Sequence, residues 1–111
     1  MEEDLGLILT IDAHGRTQLF YAAQGGHVQI VRLALSAHPV MSGLNEADEQ
    51  GSTPLHAAVG AGHVEVVVLL IDGGCAMDVP DKLGATPLMN AAECGHVRVF
   101  RILSKICWYG N

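Results

Sequence analysis

The sequence predicts an all-α fold, a solenoid of three helix–turn–helix units with turn loops protruding along one side. Three observations carry that prediction: a phrase written three times, a Gly-His pair behind each copy, and an apolar run behind each pair. The phrase is Asp-x-x-Gly-x-Thr-x-Leu, beginning at Asp12, Asp48 and Asp81. It aligns Gly15 with Gly51 and Gly84, Thr17 with Thr53 and Thr86, and Leu19 with Leu55 and Leu88. Eight residues past each leucine comes the histidine of Gly26-His27, Gly62-His63 or Gly95-His96. The second and third copies start 33 residues apart and the first and second 36, so three additional residues lie between Ser36 and Glu46.

Each element follows from its residues. Residues 1–11 supply a partial loop or cap, with Leu5 to Ile11 expected to pack on the first unit. The units then run 12–47, 48–80 and 81–111. Asp-x-x-Gly is turn chemistry: the carboxylate bonds backbone amides and glycine takes positive φ freely. Thr53 is a helix N-cap, and Pro54 suits the first helical position because its missing N–H is needed by nothing there. Ala22, Ala58 and Ala91 are small enough for two helices to approach closely. Gly-His ends the first helix and starts the second. The second helices place Val28, Ile30, Val31 and Leu33 on one flank, then Val64, Val66, Val67 and Leu69, then Val97, Val99, Phe100 and Ile102. Gln29, Glu65 and Arg98 mark the polar flank. Gly73-Gly74 end the second helix of the middle unit, whereas the last unit lacks that pair and its helix is expected to extend toward Ile106, Cys107, Trp108 and Tyr109.

This pattern resembles the ankyrin repeat over roughly residues 12 to 106. The middle copy carries the signature in full as Thr53-Pro54-Leu55-His56-Ala57-Ala58. One such helix pair cannot bury its apolar face alone, so the units must stack, and stability becomes a sum over units and junctions. The resemblance implies that His56 bonds the Thr53 hydroxyl and the backbone between units. That role carries over to no other copy, because Phe20 and Met89 stand at the matching positions. Orphaning these polar groups in His56→Ala is expected to cost about 1–2 kcal/mol.

Composition narrows the function. The chain has 111 residues, is 50% hydrophobic and 16% charged, and carries a net charge of −6, which is one-domain length with too much apolar content for disorder. Thirteen glycines fit many turns, and a 5% aromatic content fits stacking through alanine and β-branched residues in place of one central core. The acidic excess argues against nucleic acid, whose phosphates require clustered Lys and Arg. The longest run of large apolar residues, Val66 to Ile71, is far short of the ~20 that span a bilayer, so no membrane partner is expected. The apolar stretch Leu5 to Ile11 follows three acids, unlike a secretory signal. Cys75, Cys94 and Cys107 form no Cys-x-x-Cys spacing, which points to a reducing compartment, cytoplasmic or nuclear.

Chemistry finds little purchase. His27, His63 and His96 recur one stacked helix apart, ~8–10 Å, whereas zinc ligands at ~2.0–2.1 Å hold their nitrogens within about 4 Å of one another. Capping and turn roles are expected for these histidines, with no metal and no cofactor. Catalytic motifs are absent; Cys94 reads as a small residue at a variable position, and the Glu46–Asp48 pair as solvated charge. A protein-binding surface remains. The resemblance places variable positions on the turn tips and on the exposed flank of each first helix, here His14, Arg16 and Gln24, then Glu49, Gln50 and Ser52, then Lys82, Leu83 and Glu93. Tyr21 and Asn90 add to that surface or face a neighbouring unit. Aromatic and Arg side chains dominate hot spots, so Arg16 and Tyr21 lead the set. Gly60 and Ala61 leave a shallow centre. Arg98, Arg101 and Lys105 line one face of the last helix. The expected function is a non-enzymatic interaction module. The alternative is a spacer section of a longer solenoid that associates end to end, since neither end is convincingly polar.

Overall fold

Thr17, Thr53 and Thr86 each hold extended backbone and accept, through the hydroxyl, the N–H of the residue three positions on: Phe20, His56 and Met89. That bond satisfies one of the orphan amides at a helix start. In the computed structural model, which describes residues 11–37 and 43–109, these caps open α1 (Gln18–Gly25), α3 (Pro54–Ala61) and α5 (Pro87–Cys94). Pro54 and Pro87 occupy the first turn. Gly26, Gly62 and Gly95 close the three helices in the left-handed region at φ 74–78°, each sending its N–H to carbonyls three and four residues back. The chain then turns into α2 (Val28–Ala37), α4 (Val64–Asp72) and α6 (Val97–Tyr109). The expected extension of the last helix is present: α6 has 13 residues where α4 has 9. Leu5 to Thr10 and the side chains of Cys107, Trp108 and Tyr109 lie outside the described residues; Ile11 forms an isolated antiparallel bridge with Thr17.

The helix pairs stack in a row, with first helices on first helices and second on second, giving extents of 41 × 25 × 25 Å. Ala22, Ala58 and Ala91 are buried where α1, α3 and α5 meet, which is what their size permits. The core is a strip along the row: Leu19, Leu55 and Val59 join Val31, Val66, Val67, Leu70, Val99 and Leu103, all fully buried. At about 25 cal/mol per Å² of apolar surface buried, this strip is the main stabilising term, and every unit draws it from its neighbours. The exposed Arg32–Glu65 pair between α2 and α4, at 3.8 Å, adds at most about 1 kcal/mol.

The turns form a second column. Asp12, Asp48 and Asp81 each accept two backbone amides through Oδ1, at 2.8–3.0 Å, from the residues two and four positions on. Successive turns are then bonded to each other, Glu49 N–H to the His14 carbonyl at 3.0 Å and Lys82 N–H to the Gln50 carbonyl at 2.9 Å. Gly51 stands at φ +80° in this column, and a Cβ there would sit 2.9 Å from the Lys82 amide nitrogen. Asp48 corrects the expectation of solvated charge. It is buried, because its Oδ2 also accepts from Arg16 Nε of the preceding unit at 3.1 Å. Glu46 is exposed.

Candidate functional site

The first helices and the turn column meet along a concave groove of about 370 Å³. α1 contributes Phe20 and Gln24, α3 contributes His56, Ala57, Gly60 and Ala61, and α5 contributes Asn90. The turns contribute Arg16, Asp48, Gln50 and Ser52. Five of the expected partner-binding residues therefore converge here: Arg16, Gln24, Gln50, Ser52 and Asn90. The other six do not line it. His14, Glu49, Lys82 and Leu83 are exposed on the turn tips, Tyr21 stands beside the groove on α1, and Glu93 is exposed near the end of α5. Gly60 and Ala61 form the shallow centre their size predicted.

Arg16 is engaged and not a free side chain. Its guanidinium bonds Asp48, and its Cζ lies 5.0 Å from the Phe20 ring centroid and 5.8 Å from that of Tyr21. Those rings meet edge to face with centroids 6.0 Å apart, and the Tyr21 hydroxyl donates to Asp12. The cation thus rests on two aromatic faces. Tyr21 and the Arg16 amide hold the Asp12 carboxyl down at about 2. Burial pushes the Asp48 carboxyl up, but the Ser52 amide, Arg16 and the Gln50 amide outweigh it and leave the group below its ordinary value. Both carboxylates are anions at neutral pH, and Asp48, paired with Arg16, lines one end of the groove. Phe20 and Asp48 were not singled out as site residues. Phe20 was legible as the residue replacing a motif histidine, whereas the Arg16–Asp48 pair spans two units and has no local signal.

His56 binds as the resemblance implied. The Thr53 N–H donates to Nδ1 at 3.1 Å, so the ring proton is on Nε2, which donates to the Ala85 carbonyl at 3.1 Å. The Thr53 hydroxyl also meets Nδ1 at 2.9 Å. One ring therefore completes a capping box on α3 and bonds the next unit's turn. The Gly-His histidines differ from expectation. His63 precedes α4 yet makes no side-chain capping bond. Its Nε2 reaches back to the Gln24 carbonyl at 3.1 Å, and His96 repeats the contact with the Gly60 carbonyl at 3.1 Å. Gly26 and Gly62 use their N–H to close the helix, which leaves the carbonyl two residues earlier for the next unit's imidazole. Among the described residues, no three His, Cys, Asp or Glu side chains come together as a metal site. No described helix is long and apolar enough to cross a membrane.

Helix pairs stacked in register behind a column of bonded turns define a repeat solenoid with a concave presenting face. A family model of ankyrin repeats in three copies matches residues 3–81 and residues 19–108. The chain belongs to the ankyrin-repeat family, whose members are generally protein–protein interaction modules and typically not enzymes. No curated protein matches the chain.

Proposed function

We propose that this chain is a non-enzymatic interaction module that seats a protein segment in the concave groove. The observation that carries the reading is the convergence of Gln24, Gln50, Ser52 and Asn90 around the flat centre at Gly60 and Ala61. The side-chain amides and the Ser52 hydroxyl offer donors and acceptors together, and no side chain at the centre holds a partner backbone away. The Arg16–Phe20–Tyr21 stack stiffens one wall, so little ordering is left to occur on binding. Arg16 and Tyr21 act in this reading as a preorganised edge more than as free anchors. Free Cys75 and Cys94 support a reducing compartment, cytoplasmic or nuclear. The spacer reading draws on the ends of the row and leaves the groove's polar side chains without a role.

The test is affinity capture from native lysate with the wild type, a Gln24→Arg/Asn90→Arg variant that fills the groove, and a Leu83→Ser/Glu93→Gln variant outside it. Specific partners retained by the wild type and the outside variant should be lost from the groove variant. Equal capture by all three would remove the groove from the function.

A further inference from the structure

The groove has more hydrogen-bonding capacity than the fold uses. Gln24, Gln50, Ser52 and Asn90 line it, and among the described residues their side chains make no hydrogen bond; Gln50 and Ser52 engage Asp48 through backbone amides alone. Each primary amide offers two donors and a carbonyl oxygen, and the hydroxyl both donates and accepts. A peptide backbone presents the same mixture at every residue, but only when extended, because inside a helix its N–H and C=O groups are already bonded to each other. Gln24 lies in the first unit and Asn90 in the third, two helix spacings of ~8–10 Å apart, a span of roughly 16–20 Å. About five to six extended residues at ~3.3 Å each cover it. The floor between them permits close approach, since nothing lies within 4 Å of a Cβ built on Gly60.

Charge sets the character of that segment. The three turns, 12–16, 48–52 and 81–85, carry four acids against Arg16 and Lys82, a balance of −2. The first and third turns are each neutral, so the whole imbalance sits in the second, beside Gln50 and Ser52. The second helices carry two acids against four bases, a balance of +2, which places the acidic side of the row at the groove. Arg16 is engaged by Asp48 and by the Phe20 and Tyr21 rings. Asp12, Asp48 and Asp81 are each tied to two amides of their own turn. Glu49 differs from them. It adjoins Gln50 at the rim, is exposed, and among the described residues its carboxylate has no hydrogen bond or ion pair.

We infer that the groove, on the reading proposed above, takes an extended basic segment: Gln24, Gln50, Ser52 and Asn90 hold its backbone, and a Lys or Arg side chain pairs with Glu49 at the middle turn. Because Glu49 is solvated, the pairing steers encounter and sets preference more than it adds affinity.

The probe is a phage-displayed library of random dodecapeptides selected on the full chain under reducing conditions, followed by titration of the most enriched peptide in synthetic form. Three variants separate the contributions. Gly60→Gln fills the groove without changing charge, Glu49→Lys reverses the rim charge, and Glu65→Lys makes the same change in net charge on α4. Glu49 and Glu65 are exposed and a side chain at Gly60 meets open space, so the fold tolerates all three. The enriched sequences should carry an excess of Lys and Arg. The peptide should bind Glu49→Lys roughly tenfold more weakly than wild type, Glu65→Lys as well as wild type, and Gly60→Gln not at all. Added salt should weaken its binding to wild type more than to Glu49→Lys. Neutral or acidic enriched sequences overturn the inference, as does equal binding by Glu49→Lys and wild type, or equal weakening by Glu49→Lys and Glu65→Lys. In those cases loss of binding by Gly60→Gln keeps the groove reading alive. Peptides that bind Gly60→Gln as well as wild type sink the groove reading, and this inference with it. A library that yields no binder overturns the inference and leaves the groove to the capture experiment.

Discussion

His56 ties the middle unit to the turn of the next. It is buried, and its ring holds both the Thr53 amide and the Ala85 carbonyl. His56→Ala leaves both without partners and should lower the unfolding free energy by about 1–2 kcal/mol, read from urea midpoints at constant slope. His63→Ala should cost under about 1 kcal/mol, because the Gln24 carbonyl it releases is exposed to water. Equal costs would mean that burial does not set the difference. Asp48 gives a pH dependence. Its carboxyl lies below the ordinary value of 3.8, so the unfolded chain takes up its proton first as the solution is acidified. The contribution is therefore complete above the unfolded value and is lost as pH falls through the folded one. Wild type should be more stable than Asp48→Asn at neutral pH, and the gap should narrow below about pH 4. A gap that stays constant down to pH 2, roughly the lower end of such transitions, would exclude a role for the carboxylate charge.

At the scale of the element, the same residue type carries different weight in different turns. Gly51 and Gly84 both hold φ above +80° or at it, so either one replaced by alanine takes the left-handed strain of about 1 kcal/mol. Only Gly51→Ala also drives a Cβ to 2.9 Å from the Lys82 nitrogen, where the turn-to-turn bond is made; Gly84 faces open space. Gly51→Ala should therefore destabilise more than Gly84→Ala in the same urea titration, and the reverse order would exclude the turn column as a stabilising feature. These elements were largely legible in the sequence, because caps, turns and glycine stops are local: Thr53, Asp81 and Gly62 act within four residues of themselves. The links between elements were not. The Arg16–Asp48 pair and the backward reach of His63 depend on which residue of the next unit is brought alongside, and the 36-residue first spacing hides that alignment. The groove was legible in part, because Gln24, Gln50 and Asn90 stand at turn-tip or first-helix positions of their own units, whereas the withdrawal of Arg16 and Tyr21 into a stack requires Asp48 and Phe20 to be placed.

For the whole molecule, stability is unevenly distributed because the row is one-dimensional. α3 and α4 are packed on both sides, and Leu55, Val59, Val66, Val67 and Leu70 are fully buried. α5 and α6 have described neighbours on one side, and Met89 and Val97 on them are exposed. Opening the last unit breaks one junction, whereas opening the middle unit breaks two, so the free energies of local opening must differ by about one junction. Native-state hydrogen exchange at micromolar concentration should show the slowest amides in α3 and α4 and faster exchange across α5. The order should invert for no residue whose amide is bonded within its helix. Protection that is uniform across all three units at low concentration would show one cooperative block, and the additive description of this row would have to be abandoned.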